Sequence, residues 1–104
     1  MVILRSAKVY VDDILAGYLK ETDEGYTFKY LENYNYKPVS LTLPIQSEEY
    51  ISKTLFPFFD GLIPEGWLLN IAINNWKLNP RDRFSLLLCT CKDPIGNVKI
   101  QEDK

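Results

Sequence analysis

The 104-residue sequence contains no histidine and only two cysteines, and it has no apolar run of about 18 residues. Without histidine, no serine or cysteine nucleophile can have an imidazole base, and zinc sites that combine cysteine with histidine are excluded. Cys89 and Cys91 would point in different directions on a helix. We therefore expect buried, reduced thiols, with neither a disulfide nor a metal site.

Motifs for phosphoryl transfer are also missing. No glycine-rich phosphate loop follows a predicted strand, and neither an Asp-Phe-Gly metal motif nor a catalytic-loop aspartate occurs. Asp60 and Glu65 could be read as a pair of catalytic carboxylates. A turn role for Asp60 before Gly61, and a place for Glu65 at a helix N-terminus, explain both residues better. We predict no catalytic residue, no cofactor and no enzymatic activity for the isolated chain.

The charges are nearly balanced, with 12 Lys and Arg against 14 Asp and Glu and a net charge of −2. Acidic and basic residues are interspersed, so we expect no direct nucleic acid binding. The apolar start of the chain is too short for a signal peptide, and we expect a cytoplasmic protein without membrane contact. With 46% hydrophobic residues, residues 1–104 are expected to form a single domain.

The first half of the sequence predicts an antiparallel sheet of about four strands. We expect these strands at residues 7–12, 14–21, 26–31 and 41–43. The first two are joined by a hairpin turn at residues 12–13. Alternation places three aromatic residues of the third strand on one face, namely Tyr26, Phe28 and Tyr30. In the fourth strand, Leu41 and Leu43 should face the same way, and Pro44 ends the strand.

The second half predicts helices. Residues 47–53 are polar and indicate a short helix or a loop, and residues 56–63 indicate a short helix. Residues 64–77 form the clearest helical pattern, with Pro64 in its first turn. A further helix, capped by Asn79, runs to about Cys91, and a strand at residues 98–100 precedes a charged, frayed end. The predicted fold is α+β, with about three helices packed on one side of the sheet.

Trp67 has an unusual position in the predicted helix of residues 64–77. At about 100° per residue, the apolar side chains form one arc made by Leu68, Leu69, Ala72, Ile73 and Trp76. Trp67 and Ile71 fall outside this arc, among asparagines. Two alternatives stay open: Trp67 packs into the core beneath residues 56–59, or it is exposed and anchors a partner. We favour the second, in view of the family resemblance that follows.

Several short segments carry this resemblance, and they follow one another in a fixed order. They are residues 7–11, 14–19, 40–45, 58–66, 79–84 and 93–98. In this order they resemble the opening hairpin, the "SLSLP" strand, the "FFDNLLPEG" signature, the later helix start and the glycine turn of the N-terminal subdomain of HipA-type serine/threonine kinase toxins. Gly61 stands where that signature usually has asparagine. The resemblance covers nearly the whole chain.

The resemblance implies a function in binding. Stand-alone subdomains of the HipS type act as antitoxins, in systems whose kinase toxin, HipT, lacks the subdomain. The implied partners are a HipT-like kinase, which would act on an aminoacyl-tRNA synthetase, and a HipB-like DNA-binding protein. We expect a partner-binding site that occludes the kinase active site, formed by Phe59, Asp60, Pro64, Glu65, Gly66, Trp67 and Ile71. The alternative is a non-inhibitory structural or substrate-recognition subdomain of a split or truncated HipA-like kinase.

Overall fold

The computed structural model describes residues 2–63, 83–90 and 97–103. These residues form β1 (Ile3–Val11), β2 (Ile14–Thr22), β3 (Gly25–Tyr30), β4 (Tyr50–Ser52), α1 (Pro57–Asp60), α2 (Arg83–Thr90) and β5 (Val98–Glu102). The strands build one antiparallel sheet in the order β4-β3-β2-β1-β5. The α+β class is confirmed, although the sheet has five strands where about four were predicted.

A tight hairpin joins β1 to β2 at the predicted position. Asp12 and Asp13 form its two-residue loop with φ values of 50° and 67°. Two successive residues with positive φ are typical of a type I′ turn, whose twist matches that of the flanking strands. Aspartate tolerates this conformation better than most side chains. The backbone N–H of Asp12 also donates a hydrogen bond to the carbonyl oxygen of Asn97 at 2.8 Å, which ties the turn to the start of β5.

One face of the sheet carries the hydrophobic core. In β1 the alternation is strict: Ala7, Val9 and Val11 are fully buried, whereas the residues between them are partly exposed. In β3, Phe28 and Tyr30 are buried and Tyr26 packs against the core, so the predicted shared face of these aromatics is confirmed.

Both described helices pack on this core face. The ring centroid of Phe59 in α1 lies 5.4 Å from that of Phe28 in β3. Phe84 in α2 stacks on Tyr26 with 6.2 Å between ring centroids. The opposite face of the sheet is therefore covered by neither α1 nor α2.

Tyrosine hydroxyl groups hold the connection between β3 and β4 in place. The Tyr30 hydroxyl donates a hydrogen bond to the carbonyl oxygen of Leu43 and accepts one from the backbone N–H of Val39 at 3.0 Å. Val39 and Leu43 are themselves buried. The Tyr50 hydroxyl donates to the carbonyl oxygen of Pro44 at 2.5 Å. The connection therefore follows a defined path in spite of its lack of regular structure.

The prediction of a strand at residues 41–43 is wrong. Leu43 N–H donates to the carbonyl oxygen of Ser40 at 3.1 Å, which closes a tight turn with only an isolated bridge. The turn leaves Leu41 96% exposed while Leu43 is 4% exposed, so these two side chains do not face the same way. The fourth strand is β4, within the segment predicted as a short helix or a loop. This segment is a strand because it pairs with β3 at the edge of the sheet, where Tyr50 lies opposite Phe28.

The C-terminal strand is longer than predicted. β5 continues through Gln101 and Glu102, which pair with Lys8 and Ala7 of β1. The backbone N–H of Asp103 then donates to the carbonyl oxygen of Ser6 at 2.9 Å. The charged end was predicted to fray from residue 101, but pairing with β1 satisfies the backbone groups up to Asp103.

The helices agree with the sequence patterns where the structure describes them. α1 lies inside the predicted helix of residues 56–63, and α2 lies inside the predicted helix that follows Asn79. The predicted helix of residues 64–77 lies outside the described residues, so an arrangement of three helices is not confirmed. None of the helices in the described ranges is long and apolar enough to cross a membrane.

Candidate partner-binding site

Helix α1 contains the first two residues of the predicted site, Phe59 and Asp60. Phe56 has an extended backbone with ψ 137°, and Pro57 occupies the first helical turn, where its missing N–H costs no hydrogen bond. The N–H of Asp60 donates to the Phe56 carbonyl at 2.9 Å, and the N–H of Gly61 donates to the Pro57 carbonyl at 2.9 Å. A following turn, in which Ile63 N–H donates to the Asp60 carbonyl at 3.2 Å, buries Ile63 and directs the chain to residue 64.

Phe59 holds α1 against the core face of the sheet. Its side chain is fully buried, and its ring lies against those of Phe28, Phe56 and Phe58 with centroid distances of 5.4, 6.2 and 5.3 Å. A side chain with no exposed surface cannot itself touch a partner unless the core opens. The aromatic packing that fixes α1 thus also removes the Phe59 ring from the surface, and the predicted partner-binding role of Phe59 stays a prediction.

Asp60 lies at the surface and ties α1 to α2. Its Oδ1 accepts a hydrogen bond from Arg83 Nε at 2.7 Å, and both side chains are partly exposed. The sequence suggested a turn role for Asp60, and it did not indicate Arg83 as the partner because 23 residues separate the two. Next to Arg83, Phe84 is fully buried. The ion pair thus joins two residues that each follow or precede a buried core aromatic in the sequence, Phe59 and Phe84.

These contacts bring together the two flanks of residues 64–82. Ile63 is the last described residue before this interval and is buried, while Arg83 follows it and pairs with Asp60. The remaining predicted site residues lie outside the described residues, namely Pro64, Glu65, Gly66, Trp67 and Ile71. Their partner-binding role stays a prediction, and so do the two alternatives for Trp67.

A polar cluster next to α2 was missed from the sequence. The Arg5 guanidinium binds both carboxylate oxygens of Glu21 at 2.8 and 3.0 Å and donates to the Ser85 hydroxyl at 2.5 Å. It also lies over the Phe84 ring, 5.0 Å from the centroid. The sequence contained an indication of this cluster, because Arg5 lies two residues before the buried Ala7 and therefore on the same face of β1. A charge at an inward position requires a partner.

Three tyrosines have pKa values that are raised by their surroundings. Burial raises the pKa of Tyr30 and Tyr34 above the ordinary 10.0, and the hydrogen bond to the Asp12 carboxylate does the same for the pKa of Tyr36. These hydroxyls keep their protons near neutral pH and cannot serve as bases there. Within residues 2–63, 83–90 and 97–103, no group of three histidine, cysteine or acidic side chains could hold a metal.

Comparison with known proteins identifies the family. The model of the HipA N-terminal domain matches residues 7–101 of this chain. The chain belongs to the HipA N-terminal domain family. The resemblance inferred from its short motifs is thereby confirmed. Membership places the chain among HipA-related components of toxin–antitoxin systems.

Two relatives agree with this assignment. A solved structure described as the N-terminal domain of HipA toxin superposes with a TM-score of 0.78 and 33% sequence identity, covering 97% of this chain and 94% of that one. An uncharacterized protein of Haemophilus influenzae is 37% identical over 102 residues, which are 98% of this chain and 96% of the relative.

Proposed function

We propose that this chain is the antitoxin of a three-component, HipBST-type system and that it binds and inhibits a HipT-like serine/threonine kinase toxin. The observation that carries the proposal is the anchored pair of flanks at residues 64–82. Phe59 is buried beneath α1, and Asp60 pairs with Arg83 of α2 at 2.7 Å. The residues that flank the interval 64–82 are therefore held close to each other.

Fixed flanks matter because an inhibitory segment binds more tightly when less freedom is lost on docking. The interval contains Trp67 and Ile71, which fall outside the apolar arc of their predicted helix. In the proposed mechanism, Asp60 and residues 64–67 approach the kinase active site, and Trp67 is the aromatic anchor that excludes substrate. Tryptophan is among the residues that most often dominate the energy of an interface.

The family comparison supports an independent role for such a domain. The Haemophilus influenzae relative is matched over 96% of its own length, so that protein contains little besides this domain. Phosphoryl-transfer motifs are missing from the sequence of this chain, which supports a binding role over a catalytic one. A HipB-like DNA-binding protein completes the proposed complex.

Co-expression tests the proposal most directly. The proposed HipT-like kinase partner is expressed from an inducible promoter, with and without this chain, and growth is recorded. We expect the kinase alone to arrest growth and this chain to restore it, with the two proteins copurifying. Growth arrest that persists although the two proteins form a stable complex would contradict an inhibitory function.

Two tryptophan variants test the mechanism. Trp67→Ala should weaken kinase binding by about 2–4 kcal/mol, or roughly 30- to 1000-fold, and leave folding intact. Trp76→Ala is the matched control. Trp76 belongs to the apolar arc, so its truncation should cost roughly 3–5 kcal/mol of folding stability. Calorimetric binding and thermal melting measure the two effects. A folded Trp67→Ala variant that still neutralises the kinase would rule out occlusion through Trp67.

The alternative function is a non-inhibitory subdomain of a split or truncated HipA-like kinase. It is favoured by the solved relative, whose description is the N-terminal domain of a toxin. The same co-expression experiment separates the two functions. A structural or substrate-recognition subdomain should increase the amount or the activity of the kinase, and growth should then worsen when this chain is added.

A further inference from the structure

Strand pairing collects lysines and tyrosines on the sheet face opposite the helices. We name this surface the lysine–tyrosine face and define it by Lys8, Tyr10, Tyr18, Lys20, Lys29 and Lys99. Lys8 of β1 pairs with Tyr18 of β2, and Tyr18 pairs on its other side with Lys29 of β3. Tyr10 of β1 pairs with Lys99 of β5, whose ammonium lies 5.7 Å from the ring centroid. Each tyrosine therefore has a lysine directly beside it.

The charge of this face is not neutralised by its neighbours. Three basic side chains elsewhere in the described residues, those of Arg5, Lys37 and Arg83, each lie within 4.0 Å of a carboxylate. Among the described residues, none of the four lysines of the face has such a partner. The carboxylate of Asp103 lies at the edge of the lysine–tyrosine face, where it accepts a hydrogen bond from the Ser6 hydroxyl at 3.5 Å. The face is thus strongly positive, although the whole chain has a net charge of −2.

We propose that the lysine–tyrosine face binds single-stranded nucleic acid. Lysine ammonium groups neutralise phosphates, and tyrosine rings offer flat surfaces on which bases stack. Strands lie about 4.8 Å apart, so the row from Lys8 through Tyr18 to Lys29 places two cations roughly 10 Å apart with a ring between them. This alternation of cation and ring matches a single-stranded nucleic acid, in which phosphates and unstacked bases also alternate.

The shape of the face favours a single strand over a duplex. The major groove of DNA admits a helix or a two-stranded ribbon, and a five-stranded sheet is too broad to enter it. An unpaired strand can lie flat on such a sheet with its bases splayed. An acidic protein is a poorer match, since lysine is depleted in protein–protein interfaces.

The expectation of no direct nucleic acid binding came from charges that are interspersed along the sequence. Alternation in the strands separates charges in space, because Lys8, Lys20 and Lys29 take outward positions, whereas Glu21 takes an inward position beside Arg5. The net charge of the chain does not oppose local binding, since charges beyond about 8 Å are screened at physiological ionic strength. The face is also on the opposite side of the sheet from α1 and α2, so this inference is independent of the proposed kinase inhibition.

Fluorescence anisotropy tests the proposal, with labelled oligo(dT) and oligo(rU) of about 12 nucleotides, a length within the range of roughly 4–16 that single-strand-binding domains cover. Affinity should fall steeply with salt. With four phosphates neutralised, the logarithmic slope is about −2.8, which corresponds to a loss of about 50-fold between roughly 50 and 200 mM salt.

Variants separate this surface from a general charge effect. The double variant Lys8→Gln, Lys20→Gln should lower the salt slope to about half. Tyr18→Leu should weaken binding by about 5- to 150-fold through the loss of base stacking. Lys53→Gln is the matched control, because Lys53 is exposed outside the face, and it should retain most of the affinity. Melting curves check that each variant is folded.

Three results would overturn the proposal. The first is the absence of oligonucleotide binding at about 50 mM salt, where electrostatic binding is strongest. The second is equal affinity for a duplex of the same length. The third is binding to poly-glutamate that equals the binding to oligonucleotides and is unaffected by Tyr18→Leu, which would identify an acidic protein surface as the occupant.

Discussion

Tyr30 determines the path of the connection between β3 and β4 through a single hydroxyl group. This oxygen donates to the Leu43 carbonyl and accepts from the Val39 N–H, and the tyrosine is only 3% exposed. A buried N–H without a partner costs free energy, so both contacts matter beyond their own strength. Burial also raises the pKa of Tyr30 above its ordinary value of 10.0.

Replacing Tyr30 by phenylalanine tests this role. Tyr30→Phe should lower the free energy of unfolding by about 1–3 kcal/mol at neutral pH, because the Val39 N–H and the Leu43 carbonyl lose their partner. The raised pKa adds a pH dependence. The folded state favours the protonated phenol, so its contribution is complete below the unfolded pKa near 10 and is lost as pH rises through the folded pKa. Tyr30→Phe should therefore reduce the alkaline loss of stability.

Denaturant titrations between neutral and alkaline pH measure both effects. Tyr18→Phe is the matched control, since Tyr18 lies on the partly exposed side of β2 and should change little. A Tyr30→Phe variant as stable as the parent chain at neutral pH would show that the hydroxyl does not hold the connection.

At the scale of elements, Gly17 sets the distance between β2 and β3. A Cβ atom at this position would lie 2.2 Å from the Lys29 carbonyl oxygen and 2.9 Å from the Tyr30 Cα. Both atoms belong to backbone that is held in the sheet, so neither can move without breaking the pairing. Gly17→Ala should therefore destabilise the domain by about 3 kcal/mol, the upper end of the usual cost of overpacking.

Gly61→Ala is the control for this substitution. Gly61 has φ −69° and ψ −15°, which any residue adopts, and the nearest atom to its Cβ would be the Pro57 carbonyl oxygen at 3.2 Å. Its change in stability should stay within about 1 kcal/mol. Urea midpoints of the two variants provide the comparison. Equal midpoints for Gly17→Ala and the parent chain would mean that β2 and β3 tolerate a wider spacing.

Two arginines attach α2 to the rest of the domain with different strength. Arg5 binds both oxygens of Glu21 and the Ser85 hydroxyl while it lies over Phe84, and the Arg5 and Glu21 side chains are 28% and 19% exposed. Arg83 forms an ion pair with Asp60, and these two side chains are 36% and 43% exposed. Water screens the second pair more, so it contributes less.

Lysine substitutions distinguish the two contacts, since lysine keeps the charge but loses the forked geometry. Arg5→Lys should cost about 1–2 kcal/mol, the range expected when charge-assisted hydrogen bonds and a cation–π contact are lost. Arg83→Lys should cost less than about 1 kcal/mol. Chemical denaturation of both variants gives the difference. A larger loss for Arg83→Lys would reverse our ranking of the two contacts.

At the scale of the whole molecule, the described part of the chain is stabilised by apolar packing. A continuous core joins the sheet to α1 and α2, with Phe28, Phe59 and Phe84 fully buried at its centre. The sequence contains no histidine, and its two cysteines are spaced unfavourably for a disulfide. Stability should therefore not depend on a metal or on the redox state.

Melting curves with and without chelator, and with and without reductant, test this expectation. All four conditions should give the same melting temperature. A fall of about 10 °C in either case corresponds to more than 1 kcal/mol for a domain of this size. Such a fall would point to a metal ligand set or a disulfide that involves Cys89 or Cys91.

The sequence alone determined the features that depend on local periodicity. Strict alternation in residues 7–11 gave the buried face of β1, and two consecutive aspartates gave the hairpin turn. The segment 56–63 was predicted as a short helix and contains α1, and the order of the short motifs indicated the family. These features could be predicted because the residues that produce them are neighbours along the chain.

Tertiary structure decided the features that depend on distant residues. The partner of β3 is β4 and not residues 41–43, because a tight turn at Ser40 separates Leu41 from Leu43. In the candidate site, only long-range packing buries Phe59 and brings Asp60 to Arg83. The lysine–tyrosine face likewise exists only through strand register. A local pattern states which side of a strand is apolar, whereas pairing between distant strands decides which polar side chains become neighbours.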